Sequence, residues 1–318
     1  MKFNSLLFIN LVTIEICNGR DFSYNGIMGP KDWSTEYSSC KGKHQSPINI
    51  DILHVKKVKL PSLNLHNFNK IPNITHIENN GHTVYFTIDT EENIPTIDGG
   101  PLSSSYQFSQ LHYHWGDNDS YGSEDSFNGK YFPMELHVVF FKQEYKNIKE
   151  AMLKSDGLAV MAFFFEVSKP NPAYQELSLL LNTIQKPHTK ANLTTPIALQ
   201  DFIQTANTHE YYVYNGSLTT PPCLEVVTWL DFYDPIQISH DQLESFRQLE
   251  DLEGNSLSHN FRPVQPIGDR IVWFTSDRIS ENDPNLHENI HGKKKNNSQL
   301  PCANFMIILL MFFGCNYF

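Results

Sequence analysis

The sequence predicts one large β-rich domain, and three observations point to it. Strand-like apolar runs outnumber helix-like ones, and aromatics that suit a pleated surface are plentiful, with 22 Phe and 14 Tyr. The 318 residues suffice for one large domain or two small ones. No internal repeat and no low-complexity linker interrupts Asp21 to Asn285, so one domain, placed at residues 20–285, is the economical reading. The formal net charge of -11 argues against nucleic-acid binding, since phosphate binders are usually basic.

Residues 1–19 read as a secretory signal. Lys2 precedes an apolar core from Leu6 to Ile16, marred by Glu15, and Cys17-Asn18-Gly19 forms a small-residue cut region. A first core strand is the alternative. Asp21 to Ser39 has little periodicity, and Tyr24, Trp33 and Tyr37 predict a segment pinned by aromatics over the body. Asn49-Ile50 starts a short strand, and Lys56 to Leu65 alternates as an edge strand bounded by Pro61. Ile74 to Ile88 reads as two strands broken at Asn79-Asn80-Gly81, because Asn-Gly signals a tight turn. Asp98-Gly99-Gly100-Pro101 is a second turn, leading into a strand over Tyr106 to Trp115. Asp117 to Lys130 is polar and contains glycine, which predicts a loop carrying Glu124.

Met134 to Phe141 is strand-like, and Lys146 to Met152 a short helix. Gly157 to Val167 is continuously apolar, as a strand buried on both faces would be. Asn171-Pro172 opens a helix through Ile184, with Leu177, Leu180, Leu181 and Ile184 at helical spacing. Tyr211 to Leu218, Leu224 to Phe232 and Ile271 to Ser276 are strands, and His240 to Glu250 a helix. Phe305 to Phe313 is wholly apolar, short of the roughly 20 residues of a spanning helix, and no Lys or Arg follows it. A basic stretch and Asn296-Asn297-Ser298 precede it, which is the pattern of a GPI-attachment signal. Residues 286–318 are thus expected to be a polar stalk and that signal, with attachment at Asn296, Asn297, Ser298 or further upstream. A true membrane span is the alternative.

Cysteine usage fits export. Cys17 falls in the signal and Cys302 and Cys315 in the tail, which leaves Cys40 and Cys223 in the body. One disulfide between them is predicted, two unrelated buried thiols being the alternative. Sequons begin at Asn73, Asn118, Asn192, Asn215 and Asn296; the first three are the candidate glycosylation sites, and Asn215 is the least suited if its loop lines a site.

The chemistry starts at Gln110-Leu111-His112-Tyr113-His114-Trp115. Alternate side chains of a strand share a face, so His112 and His114 point the same way. Alone, His-x-His is more simply a polar strand face. Glu135-Leu136-His137 adds a third imidazole in another strand-like run. Three imidazoles and one open position describe a catalytic zinc site, and no Cys lies near to complete a structural one. Gln110 and Glu135 each stand two residues before a histidine on the same face, where an acceptor for its other N–H would sit.

Gly216-Ser217-Leu218-Thr219-Thr220-Pro221-Pro222 alone is a turn. With the histidines, and with Gln45 to Ile50, Asn79 to His82, Gly122-Ser123-Glu124, Gly157 to Val160, Val227-Thr228-Trp229 and Asn260 to Pro263, the chain resembles the α-class carbonic anhydrases over roughly Asp21 to Asp277. The resemblance implies an α+β, mostly β fold: a large twisted, mainly antiparallel central sheet with short peripheral helices. It implies zinc-dependent, reversible hydration of carbon dioxide to bicarbonate and a proton. His112, His114 and His137 match the zinc ligands. Thr219 matches the hydroxyl that accepts from zinc-bound hydroxide and donates to Glu124. Gln110, Glu135 and the backbone carbonyl of Asn260 match the acceptors behind the three ligands. Val139, Val160, Leu218, Val227 and Trp229 match the apolar carbon dioxide pocket, and Thr220 faces bicarbonate. His82 matches the proton shuttle, and Tyr24, Asn80 and Gln110 match positions that order the intervening water.

Asp125 departs from the family, which often has His there, and that puts local support of the loop in doubt. Cys40 and Cys223 match the disulfide of the secreted and membrane-anchored branch, so the expected location is the outer face of the plasma membrane through a GPI anchor. Sensitivity to sulfonamides follows from the same likeness. Two other readings are a non-catalytic carbonic anhydrase-like binding module, whose members typically lose a zinc histidine, and a zinc esterase.

Overall fold

The computed structural model describes residues 22–90, 92–203, 207–280 and 282–287. The expected signal and the tail carrying Asn296, Asn297 and Ser298 lie outside the described residues. The strands are β1 (Asn49–Ile50), β2 (Lys56–Val58), β3 (Leu63–His66), β4 (Ile74–Asn79), β5 (Val84–Asp89), β6 (Thr96–Gly99), β7 (Tyr106–Trp115), β8 (Ser126–Phe127), β9 (Met134–Lys142), β10 (Leu158–Val167), β11 (Thr189–Asn192), β12 (Glu210–Gly216), β13 (Val227–Ile238), β14 (Trp273–Ser276) and β15 (Leu286–His287). The helices are short: α1 (Trp33–Glu36), α2 (Ile148–Ala151), α3 (Gln175–Leu181), α4 (Leu199–Ile203) and α5 (His240–Arg247).

One large mixed sheet dominates, in the order β11-β4-β5-β7-β9-β10-β13-β12-β14-β2-β15, with β3 and β6 attached at β7. Its pairs are mainly antiparallel; β10 with β13, β14 with β2 and β15 with β2 run parallel. The expected mostly-β fold with a large, mainly antiparallel sheet and short helices is what forms.

The pleat sorts the central strands onto two faces. Leu111 and Tyr113 of β7 and Phe163 and Phe165 of β10 face a core that includes Leu243 and Phe246 of α5 and Leu177 of α3. Tyr113 packs edge-on to Phe246 at 5.3 Å. Val139, Val160, Ala162 and Trp229 face the opposite core. Residues 158–165 of β10 are buried throughout, which explains why that run lacks alternation. Helix α5 starts on a capping box of Ser239 and Gln242, which satisfies two otherwise orphan N–H groups.

Several boundaries differ from the sequence expectation. The helix expected from Asn171 to Ile184 begins as a 3-10 turn at Pro172–Tyr174, and α3 ends at Leu181. The N–H groups of Thr183 and Ile184 bond Leu180 and Leu181, which tightens the final turn. Lys56 to Leu65 splits into β2 and β3 about Pro61, each pairing with a different partner. β13 runs past Phe232, because a bulge absorbs Tyr233, Asp234 and Pro235 before pairing resumes at Ile236. β11 and α4 were not expected; β11 is a short polar edge strand with no apolar pattern.

Candidate active site

β7 and β9 pair antiparallel with His112 directly opposite His137 and His114 opposite Glu135. One face therefore carries Gln110, His112, His114, Glu135, His137 and Val139. His114 and His137 are buried and His112 is half-buried. Their ligand atoms all lie within 4.8 Å of one another.

The other nitrogen of each ring is taken. Gln110 Oε1 is 2.9 Å from His112 Nδ1, the Asn260 carbonyl is 2.7 Å from His114 Nδ1, and Glu135 Oε1 is 2.7 Å from His137 Nε2. An acceptor at each position demands a ring N–H there, so Nε2 of His112, Nε2 of His114 and Nδ1 of His137 keep lone pairs facing inwards. Burial and mutual repulsion hold His112 and His114 well below the ordinary imidazole range, and burial lowers His137 to about 3. The trio is neutral at physiological pH, the state a metal needs.

Glu124 is fully buried before β8. Its Oε1 accepts the Arg262 N–H at 2.8 Å, while Oε2 stands 3.4 Å from His114 Nε2 and has no hydrogen-bond partner among the described residues. Burial and the neighbouring Glu135 push this carboxyl up, while the Arg262 N–H and the Thr219 hydroxyl pull it down. An orphan carboxylate oxygen beside three converging lone pairs fits a divalent cation well. The donor set of three imidazoles, with no thiolate, suits zinc with one position left open.

Thr219 lies on the segment between β12 and β13, and three anchors hold that segment. Ser46 and Ser217 bond reciprocally, backbone N–H to hydroxyl, at 2.9 and 3.1 Å. A Cβ on Gly216 would meet Ser46 Oγ at 2.1 Å, so the close approach requires glycine. Trp229 Nε1 donates to the Ser217 carbonyl at 3.2 Å. Cys223 is disulfide-bonded to Cys40, with Cα atoms 4.9 Å apart; the alternative of two separate thiols does not hold.

The apolar positions gather as well. Val139, Val160 and Trp229 form one row across β9, β10 and β13. Val227 joins the same cluster, and half-buried Leu218 packs against it. The Trp229 ring is 4.8 Å from His137. Thr220 is half-buried beside Thr219, and its carbonyl accepts the Cys223 N–H.

His82 sits on the loop between β4 and β5, its ring stacked on Phe22 at 4.0 Å. Asn260 Nδ2 donates to the His82 carbonyl at 3.0 Å and to the Tyr113 carbonyl at 3.1 Å, tying that loop to the strand of the ligands. Asn80 Oδ1 accepts the N–H groups of His82 and Thr83, so it shapes the loop. Tyr24 is half-buried against Trp33, and burial and the Glu124 charge push its phenol up. Gln110 is engaged by His112. A cavity of about 740 Å³ adjoins His82, lined by Phe22, Tyr24, Ile27, Leu252 and Glu253 among others.

Asn73, Asn118, Asn192 and Asn215 are all exposed. Asn118 is held in a tight polar turn with Asp117 and Ser120, and Asn192 Oδ1 lies 2.8 Å from His76 Nδ1.

Sequence reasoning assigned no role to Arg262. Its backbone N–H holds Glu124, and its guanidinium bonds Gln45 Oε1, the Ser46 carbonyl and the Cys40 carbonyl. Its partners lie more than 130 residues away in sequence, so no local pattern could have shown this. The doubt over Asp125 is answered differently: Asp125 Oδ1 accepts the Ile48 N–H at 2.6 Å, and the Tyr214 hydroxyl donates to the same carboxylate.

A protein-family model described as eukaryotic-type carbonic anhydrase matches residues 28–276. The chain is 38% identical over 252 residues to carbonic anhydrase 7 of Mus musculus, covering 77% of this chain and 93% of that protein. It is 35% identical over 259 residues to carbonic anhydrase 1 of Monodelphis domestica, covering 79% and 97%. It is 34% identical over 273 residues to carbonic anhydrase 12 of Homo sapiens, covering 82% and 75%.

Proposed function

Since the chain belongs to the eukaryotic-type carbonic anhydrase family, we propose that it is a zinc enzyme interconverting carbon dioxide and bicarbonate. The observation that carries this is the set of three neutral imidazoles, each backed by an acceptor, beside the buried Glu124. His112 and His114 through Nε2, and His137 through Nδ1, would hold the metal. Bound zinc lowers the pKa of a water to about 7 and so supplies a nucleophile near neutrality.

The protein's own residues do the rest. Glu124 is held by the Arg262 N–H, and the Thr219 hydroxyl donates towards it. A hydroxyl that spends its proton on a carboxylate offers only lone pairs to the nucleophile, so it fixes the nucleophile's orientation. Val139, Val160, Leu218, Val227 and Trp229 present an apolar wall that suits a small apolar substrate. Thr220 stands where bicarbonate would leave. His82 carries the proton outwards, an imidazole being the side chain suited to proton exchange with buffer near neutrality, and Tyr24, Asn80 and Gln110 flank the path.

All three imidazoles are present, which disfavours a non-catalytic binding module, and the apolar wall disfavours ester hydrolysis as the main task. Glu124→Gln tests the assignment. It is expected to keep zinc and lose about 100-fold in carbon dioxide hydration, because the nucleophile is no longer aimed. An unchanged rate would remove Glu124 from the mechanism. Inhibition by primary sulfonamides is expected alongside.

Secretion and anchorage by a GPI lipid at the outer cell surface belong to the same proposal, with residues 1–19 as signal and 286–318 as stalk and attachment signal. The support is the Cys40–Cys223 disulfide, which suits an oxidising compartment, together with the terminal sequence patterns.

A further inference from the structure

Asp231 lies in the middle of β13, fully buried, and neither of its carboxylate oxygens has a hydrogen-bond partner among the described residues. Strand register puts it on the face of the site. His112, His137, Ala162, Asp231 and Tyr212 stand opposite one another across β7, β9, β10, β13 and β12. Ala162, with only a methyl group, separates Asp231 from His137. No donor among the described residues reaches Asp231, and an ionised carboxylate so far from bulk solvent would lack a hydrogen bond to compensate its charge.

The second buried acid nearby is built differently. Asp125 accepts the Ile48 N–H at 2.6 Å and the Tyr214 hydroxyl at 3.2 Å. Burial and the Glu135 charge push the Asp125 carboxyl up, and those two donors work against that rise in favour of its charged form. The charged and titratable groups around the two include Glu124 beside Asp125, Glu135 on β9, Tyr212 and Tyr214 on β12, and Arg270, whose charge favours ionised Asp125. Asp231 stands opposite Tyr212 and Asp125 bonds the Tyr214 hydroxyl, two residues on along the same face of β12; two carboxylates buried on one face do not both ionise readily, and donor supply decides which one does.

We propose that Asp125 and Asp231 hold one proton between them in the folded chain, with Asp231 the neutral acid and Asp125 the carboxylate. Asp231 is thereby a positioning residue. It lets Asp125 stay charged, and Asp125, the residue after Glu124, ties that segment to Tyr214 of β12 and to the Ile48 backbone. Burial and the Asp125 charge raise the Asp231 carboxyl well above its ordinary range, consistent with this. A raised folded-state pKa gives stability that is complete below the unfolded value and is lost as pH rises towards the folded one. The inference concerns the protein's own proton inventory and stands whether or not carbon dioxide is the substrate.

Infrared spectroscopy of the full chain, with aspartate carboxyls isotopically labelled, tests it. At neutral pH the wild type is expected to show a label-sensitive C=O stretch from a buried protonated carboxyl, absent from Asp231→Asn and retained in Asp125→Asn. The wild-type melting temperature minus that of Asp231→Asn is expected to fall steadily from about pH 5 to about pH 8. A wild type without the protonated band overturns the proposal even if neither variant folds. A band that survives in folded Asp231→Asn, or a melting difference that is flat or rises with pH, overturns it as well.

Discussion

At the scale of single residues, the site is a set of prepaid protonation states. His112, His114 and His137 are kept neutral by burial and by one another, and their N–H groups are already committed to Gln110, Asn260 and Glu135. An exposed set of three imidazoles would lose zinc affinity steeply below about pH 6.5, as each ring takes up a proton. Here the folded rings titrate far lower, His137 at about 3. Zinc affinity measured against a competing chelator is therefore expected to stay nearly flat from about pH 7 to about pH 5. A steep fall beginning near 6.5 would show that the rings are not neutralised by their surroundings. His82 differs in kind. It stands outside the trio, stacked on Phe22 beside a cavity. His82→Ala is expected to slow turnover mainly at low buffer, by about tenfold or more, and to be rescued by added imidazole, general acid–base transfer being worth ~100- to 10,000-fold. Absence of rescue would assign the proton path to another group.

At the scale of elements, strand pairing makes the constellation and cross-links hold its lid. The register of β7 on β9 decides which side chains share a face, and a one-residue slip would send every ligand to the opposite core. The Thr219 segment has no strand of its own and depends on Ser46, Trp229 and the Cys40–Cys223 disulfide. That disulfide closes a loop over a sequence separation of 183 residues. Replacing both cysteines by Ala is expected to cost about 2 to 5 kcal/mol, read as a lowered melting temperature, with zinc still bound below the transition. Unchanged melting would make the bond dispensable. The ligands were legible in the sequence because strand alternation and the two-residue spacings are local signals. The strand cores were legible for the same reason. The bulge in β13, the polar edge strand β11 and the split at Pro61 were not, since each depends on which distant strand supplies the partner.

At the scale of the whole molecule, one sheet with two cores divides the work. One face is sealed by α3 and by α5 with its Phe246, and the other carries the imidazoles, the apolar wall and the buried acids. Arg262 shows why the sequence could not yield all of this. Its side chain gathers Cys40, Gln45 and Ser46 while its backbone holds Glu124, a convergence that exists only after the ends of the chain meet. Asp231 was equally silent, a lone acid in an apolar strand until its row of neighbours is known. The central claim is that this frame loads one zinc ion and turns it on carbon dioxide. It is tested most directly by stopped-flow carbon dioxide hydration on the purified chain, residues 20–285, with zinc quantified in the same sample. The account expects one zinc per chain and fast hydration that a primary sulfonamide blocks. Zinc without hydration would contradict the assignment of Thr219 and Glu124, and a folded chain that takes up no zinc would contradict the three-imidazole site itself.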